Sequence, residues 1–377
     1  MKDVMGILYT SKDELSLREL TAHRCVAALP VASRYRLVDF LLSSFVNSGV
    51  RKVGVIMQGN YQSLMDHLET GKAWDLHTRS NGLRILPPQS VNGVYAGVMD
   101  GIHANAEFLR RSTQEYVLLL GGRMIFNAKF DELFKKHIDT GADITVMYAK
   151  YDPIKMDYSA TAAKAHPHVY VNVAEDGQIT DIEVNPNAAS YDNMLTDVVF
   201  MKRTLLMHLA DQANARGQHD FHKDVLPEFV KSGSVKVVGY EYEGYFRRVE
   251  TIKGFYRLNM DLLNPEIRKE IFSANPVYTK TREDAPAKYM PGCKVTGSLI
   301  ADGCVIEGTV ENCVLFRGVH VGKGAHLKDS IIMQDSDIGA DCELENVIFD
   351  KDVTIRSGAR LISDKMYPIV IGKNVTL

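Results

Sequence analysis

The chain has 377 residues, of which 45% are hydrophobic and 24% charged, and a formal net charge of −3. That length predicts two domains and that composition an ordinary globular protein. The near-neutral charge argues against a nucleic-acid surface or an anionic membrane as partner.

The start, Met1-Lys2-Asp3-Val4, runs straight into a strand pattern, which leaves no room for a signal peptide. No apolar stretch approaches the roughly 20 residues of a spanning helix. The five cysteines (Cys25, Cys293, Cys304, Cys313 and Cys342) are odd in number and lack CxxC spacing, so reduced thiols and a cytoplasmic location are expected. Strand-like runs at Val4–Tyr9, Lys52–Met57, Tyr116–Leu120 and Asp143–Ala149 alternate with helical spacing at Asp39–Ser48, Gln62–Leu68, Val98–Leu109 and Lys129–Thr140. This alternation predicts an α/β domain over 1–264, a largely parallel sheet with helices on both faces. Ligands of such sheets bind beyond the carboxyl ends of the strands, so the residues after Tyr9, Met57 and Leu120 are the first candidates for a site.

A proline-spaced stretch, 265–290, reads as a connector. From 291 to 377 an aliphatic position recurs every five or six residues, from Val295, Ile300, Val305 and Val310 to Phe349, Ile355 and Leu361, with glycines at intervening turns. That period is wrong for a helix and predicts a left-handed parallel β-helix of hexapeptide-like coils. Each coil buries its aliphatic side chain only by stacking on a neighbour, so the array folds as a unit.

Several segments in order resemble the ADP-glucose pyrophosphorylases (glucose-1-phosphate adenylyltransferases). They are Tyr35-Arg36-Leu37-Val38-Asp39-Phe40, Asn47-Ser48-Gly49-Val50, Trp74-Asp75-Leu76, Ile85-Leu86-Pro87-Pro88, Lys223-Asp224-Val225-Leu226-Pro227 and Asn259-Met260-Asp261-Leu262. The repeat from Tyr289-Met290-Pro291 onward resembles that family's β-helix. The resemblance implies a Rossmann-like nucleotidyltransferase domain followed by the β-helix. Within the family, the likeness is to the GlgD-type companion subunit of bacterial glycogen synthesis, which is non-catalytic or regulatory.

The family's chemical positions are altered here. Arg123 follows Gly121-Gly122 where the resemblance implies a metal-holding aspartate, and Arg248 stands at the second such aspartate. The family's glycine-rich phosphate loop corresponds to Tyr9-Thr10-Ser11-Lys12-Asp13-Glu14, with no glycine beyond Gly6. The arginine that follows this loop in the family falls near Ser16, with Arg18 the only nearby substitute. A lysine is replaced by Val26, and the sugar-phosphate lysine by Asn185. Metal clamping supplies much of the charge stabilisation in phosphoryl-type transfer, so catalysis by this chain alone is not expected. No cofactor is expected to be bound by this chain, with Mg²⁺ held in a catalytic partner. Tyr95, Gly97, Asp100 and Gly122 remain as a substrate-like pocket.

Arg123 and Arg248 are expected to converge, either on an anion or on local acids such as Glu250 or Asp220. A basic cluster, His23, Arg24, Arg34 and Arg36, with Arg356 or Arg360 completing it, fits a phosphorylated effector or an ion-paired subunit interface. His166 and His168 read as a solvated loop, His320 and His326 as surface residues of the coils, and Trp74 as a packing anchor. The resemblance implies a regulatory subunit, paired with a catalytic ADP-glucose pyrophosphorylase chain in a heterotetramer, since the family is tetrameric. Alternatives are a weak nucleotidyltransferase with metal ligands relocated to Asp100, Asp220 or Glu250, an acyltransferase using the β-helix, and a stand-alone sugar-nucleotide sensor.

Overall fold

A computed structural model describes residues 1–10, 16–78, 81–88, 95–151 and 167–377. The strands of the first domain are β1 (Val4–Tyr9), β2 (Pro30–Val31), β3 (Tyr35–Arg36), β4 (Val53–Ile56), β5 (Leu83–Leu86), β6 (Tyr116–Gly121), β7 (Met124–Ile125), β8 (Ile144–Lys150), β9 (Val169–Val173), β10 (Ile179–Val184), β11 (Asn193–Lys202), β12 (Val237–Glu241) and β13 (Arg247–Arg248). Its helices are α1 (Leu37–Asn47), α2 (Gln62–Leu68), α3 (Val98–Ala104), α4 (Ala106–Arg110), α5 (Asp131–Thr140), α6 (Arg203–Arg216), α7 (Leu226–Ser232) and α8 (Ile252–Asp261). The single helical run read at Val98–Leu109 is two helices that meet at Asn105, whose amide donates to the Gly101 carbonyl at 2.8 Å.

The sheet has a parallel nucleus, β6-β1-β4-β5, and in this part the strands are parallel as the alternation of strand and helix patterns implies. Beyond β6 it turns mainly antiparallel, with β8 and β12 a further parallel pair. The ten-residue strand β11 runs against β6, β8 and β9, so the sheet as a whole is mixed. Alternation along β1 divides the core. Val4 and Leu8 pack with Leu41, Leu42 and Phe45 of α1, while Met5 and Ile7 pack with Met99 and Ile102 of α3 and Leu206 and Leu209 of α6. Gly6 makes this possible, because a Cβ there would come within 2.7 Å of the Phe45 ring.

The stretch read as a connector is partly structured. Pro265–Ser273 forms helix α9, with Asn264 capping it by accepting from the Glu266 N–H at 3.0 Å. Ile271 of α9 is buried, and Asn127 donates to the Ile271 and Asn275 carbonyls, which fixes the helix against the first domain.

The β-helix strands run from β14 (Lys288–Tyr289) to β28 (Ile369–Ile371), so the first coil starts within the stretch assigned to the connector. They stack into three parallel sheets. In register, Val310 lies over Leu327 and Leu344, and Leu315 over Ile332 and Phe349, and these side chains fill the interior. On the outside of one sheet, Val314, Ile331 and Ile348 stack into an apolar column. That column packs on Leu20, Val26 and Phe40 of the first domain and Phe255 of α8 in one continuous core. Among the described residues no helix is long and apolar enough to cross a membrane.

Candidate functional site

The parallel nucleus ends where β1, β4 and β6 deliver Tyr9, Ile56 and Gly121 side by side. Gly122 donates its N–H to the Tyr9 carbonyl at 2.9 Å, and a Cβ on it would meet Ala27 and Tyr9 at 3.1 Å. The next residue, Arg123, turns beneath this edge.

Arg123 and Arg248 do converge, and a carboxylate stands between them. Asp197 of β11 accepts from Arg123 Nε at 2.9 Å, and its other oxygen lies 3.7 Å from Arg248 Nη2. Arg248 Nε is 3.1 Å from Glu250, whose second oxygen lies 2.7 Å from His168 Nε2. All five side chains are at least 94% buried. Where the family brings two carboxylates to a cation, this chain brings two cations to a carboxylate.

The electrostatics follow from that arrangement. Burial alone would raise the Asp197 pKa, but Arg123 and then Arg248 outweigh it and hold the carboxyl well below its usual range. Glu250 behaves alike: burial is overcome by Arg248, the His168 hydrogen bond and Arg123, and its pKa falls to about 2. Burial also lowers the pKa of His222, which lies within electrostatic reach of Asp197, Asp220 and both arginines. Tyr9 is pushed well above its usual value by burial, then by Asp197. The two arginines and two carboxylates cancel in formal charge.

This set does not fit a divalent cation. Both positions that should supply carboxylates supply guanidiniums, and Asp197 and Glu250 are already engaged by them. Among the described residues, no group of three His, Cys, Asp or Glu converges in a metal-holding arrangement. Of the acids proposed as relocated ligands, Asp100 accepts from the Gly97 N–H at 2.8 Å and lies 2.9 Å from His219 Nδ1. Asp220 caps the turn at Phe221–Val225 by accepting from the Lys223 N–H. Only Glu250 belongs to the arginine cluster.

Two of the remaining substituted positions, Val26 and Asn185, are held in the framework. Val26 is 1% exposed and packs in the core shared with the β-helix, where no ligand reaches it. Asn185 adopts φ +49°, donates its N–H to the His168 carbonyl and accepts the His168 N–H on Oδ1 at 2.7 Å. It braces His168 rather than facing a sugar phosphate. His168 is therefore no solvated loop residue; its ring is drawn inward by Glu250. Ser16 is half-buried, whereas Ser11–Glu14 and His166 lie outside the described residues.

The substrate-like pocket residues are brought to one edge but held in bonds of their own. Gln58 donates to the Thr10 carbonyl at 2.6 Å and accepts the Tyr95 N–H at 3.2 Å. Gly97 packs so closely on the segment at His219 that a Cβ would come within 2.2 Å of the His219 carbonyl oxygen.

The basic cluster is only partly as expected. Arg34 and Arg36 line a cavity of about 150 Å³ between the domains, together with Lys280 and Arg282 from the linking segment and Arg317 and Lys351 from the β-helix. Asp66 and Asp335 line it as well, and Lys280 pairs with Glu69 and Arg317 lies 3.6 Å from Asp284. Arg24 is not in the cavity; it is buried behind it, 2.8 Å from Asp350. His23 is exposed. Arg356 and Arg360 do not complete the cluster: both are exposed on later turns of the solenoid, and Arg360 pairs with Glu343 at 2.7 Å. Sequence does not join Lys280, Arg282, Arg317 and Lys351 to Arg34, because they lie more than 240 residues beyond it and reach the recess only through the fold of the linking segment and the docking of the β-helix.

Burial and like charge act together in this cavity. Burial, then Arg36 and Arg24, push the Lys351 ammonium down to about 8. Burial likewise brings Arg36 down to about 10, with Asp39 opposing and Arg24 reinforcing the shift. Surplus positive charge in a partly buried recess is what an oxyanion would relieve. A larger cavity, about 520 Å³, lies near Arg247 but is lined by Glu241, Glu243 and Glu270, the wrong sign for phosphate.

One wall of the basic cavity is built on Asp39, which is wholly buried. It accepts from the Arg36 N–H at 2.9 Å and from Thr279 Oγ1 at 2.6 Å, and lies 2.6 Å from His67 Nε2. The His67 ring meets Trp74 edge-on, with centroids 5.7 Å apart, and Trp74 is buried as its reading as a packing anchor implies.

Residues 16–264 match the family described as nucleotidyl transferase, and residues 285–366 match the GlmU-like C-terminal hexapeptide family. The chain is similar to the glycogen biosynthesis protein GlgD of Bacillus subtilis (strain 168), 34% identical over 99% of this chain and 96% of that protein. It is also 32% identical to the glucose-1-phosphate adenylyltransferase of Bacillus cereus (strain ATCC 10987 / NRS 248), over 93% of this chain and 92% of that protein. The glucose-1-phosphate adenylyltransferase of Clostridium perfringens (strain SM101 / Type A) is 32% identical over 89% of this chain and 86% of that protein.

Proposed function

The chain belongs to the nucleotidyl transferase family, in the group that includes GlgD and the glucose-1-phosphate adenylyltransferases, and we propose that it is a regulatory, catalytically impaired subunit of such an enzyme in glycogen biosynthesis. Its partner is a catalytic chain that makes ADP-glucose and pyrophosphate from ATP and glucose 1-phosphate, with Mg²⁺ held by that partner. The assembly is a hetero-oligomer, a tetramer by analogy with the family.

The observation that carries this reading is the Arg123–Asp197–Arg248 arrangement. A site whose two metal-facing positions are cationic and internally neutralised lacks the charge clamp that phosphoryl-type transfer requires. The basic cavity supports the regulatory half of the proposal. It lies at the joint between the domains, and an anion bound there favours whichever domain arrangement gathers its arginines, which is all that coupling to a partner needs.

The test is pyrophosphate release from ATP and glucose 1-phosphate with Mg²⁺, using this chain alone, a catalytic chain alone, and the two co-purified. Silence alone with a changed rate in the complex supports the proposal. Substantial turnover by this chain alone overturns it.

A further inference from the structure

The strands β2 and β3 pair Val31 with Tyr35, which leaves only Ala32-Ser33-Arg34 to reverse the chain. Ala32 and Ser33 both take left-handed backbone conformations, φ +52° and φ +63°, although neither is glycine. Side chains with a Cβ rarely hold two such conformations in succession unless the surroundings impose them. This turn carries Arg34 into the basic cavity and leads directly to Arg36.

What imposes the turn is visible on helix α8. Asn259 is fully buried, and its Oδ1 accepts the Ala32 N–H at 3.2 Å. Its Nδ2 donates to the Phe255 carbonyl at 3.1 Å, one turn back, so both ends of the amide are used and its orientation is fixed. The same helix is anchored elsewhere. Thr251 caps it by accepting from the Gly254 N–H, immediately after Glu250 of the arginine cluster. Tyr256 donates to the Asp329 carbonyl of the β-helix at 2.7 Å.

We infer that Asn259 is the positioning residue of the basic cavity, holding the Ala32–Ser33 turn in its left-handed form so that Arg34 and Arg36 face an incoming oxyanion. This rests on the reading of the cavity as an effector site. Without the amide, the turn relaxes toward ordinary φ values, and the guanidiniums lose their common focus while their charges remain.

The experiment is calorimetric titration of the full chain with inorganic phosphate at constant ionic strength. Asn259→Ala should weaken binding about tenfold, since one buried hydrogen bond and the orientation it fixes are lost. Adding Ala32→Gly, which adopts φ +52° without strain, should restore affinity to within about threefold of the parent. A merely structural role for Asn259 would not be repaired in this way.

Unchanged affinity in Asn259→Ala, or a loss that Ala32→Gly leaves unrepaired, overturns the inference. If Asn259→Ala does not fold, Ser33→Val supplies the comparison. A β-branched residue resists φ +63°, so with Asn259 intact the affinity should fall, and its failure to fall overturns the inference equally. Absence of saturable phosphate binding by the parent chain overturns the effector reading, and this inference with it.

Discussion

Arg24 of the first domain and Asp350 of the β-helix meet at 2.8 Å, both side chains at least 97% buried, and so pin together parts of the chain 326 residues apart. Arg24 is further tied by Nη1 to the Leu20 carbonyl. Neither charge was legible as half of a pair, since the sequence offers many equivalent acids.

Removing one side of that pair leaves an uncompensated charge in a dry joint. Arg24→Ala should therefore destabilise the chain by about 3–5 kcal/mol, whereas replacing both residues by apolar ones of similar size should cost much less. Denaturant unfolding of the two single variants and the double variant checks this. An additive double variant would show that the pair is not coupled.

The arginine cluster predicts acid sensitivity. Glu250 has a folded pKa of about 2 against an ordinary value of 4.5. A depressed carboxylate stabilises the fold above its unfolded pKa and loses that contribution as pH falls toward the folded value. Stability should decline between about pH 5 and pH 2, by on the order of 3 kcal/mol from this group. Glu250→Gln should be less stable at pH 7 and show a flatter decline, read by thermal unfolding across pH.

Anion binding should have its own pH limit. Lys351, held near pKa 8, is charged at neutral pH and loses its proton above that value. Phosphate affinity should therefore fall as pH rises through about 8. Lys351→Gln should bind more weakly at pH 7 and lack that step. Stability without ligand runs the other way: a lysine with lowered pKa penalises the fold below its folded pKa, and the penalty lifts between about pH 8 and 10.5.

A fourth expectation concerns the outside of the coils. His320 lies 2.7 Å from Asp337 and 3.1 Å from Glu307, on neighbouring coils. Burial lowers its pKa, but the hydrogen bonds to Asp337 and then Glu307 outweigh it, and the net shift is upward. That contribution is complete below the unfolded value near 6.5 and disappears as pH rises through the folded value. His320→Gln should cost about 0.5–1 kcal/mol at pH 5.5, a small figure because the pair is screened by solvent, and almost nothing at pH 9. Equal losses at both pH values would assign the effect to packing instead.

The legible parts of this protein are those encoded by local period. The β-helix is announced by Val310, Leu327 and Leu344 falling in register, and the parallel nucleus by short apolar runs between helical patterns. The antiparallel half is less visible because β11 is buried on both faces and carries no sign of its direction. At the site, the sequence marks Arg123 and Arg248 as misplaced charges. It does not identify Asp197, whose meaning lies in a strand pairing 74 residues distant from Arg123. It also misplaces His168, whose burial depends on Glu250 arriving from β13. The cavity followed the same rule: the hairpin arginines were found together, but the β-helix cations depend on how the solenoid docks.

The edge-on contact between Trp74 and His67 turns packing into a signal. Trp74 is the sole tryptophan, and the imidazole beside it forms part of the cavity wall. Indole emission responds to the polarity and charge around the ring. The intact protein thus carries its own optical probe of that recess, and one emission band can follow occupancy during a titration without a dye or a label.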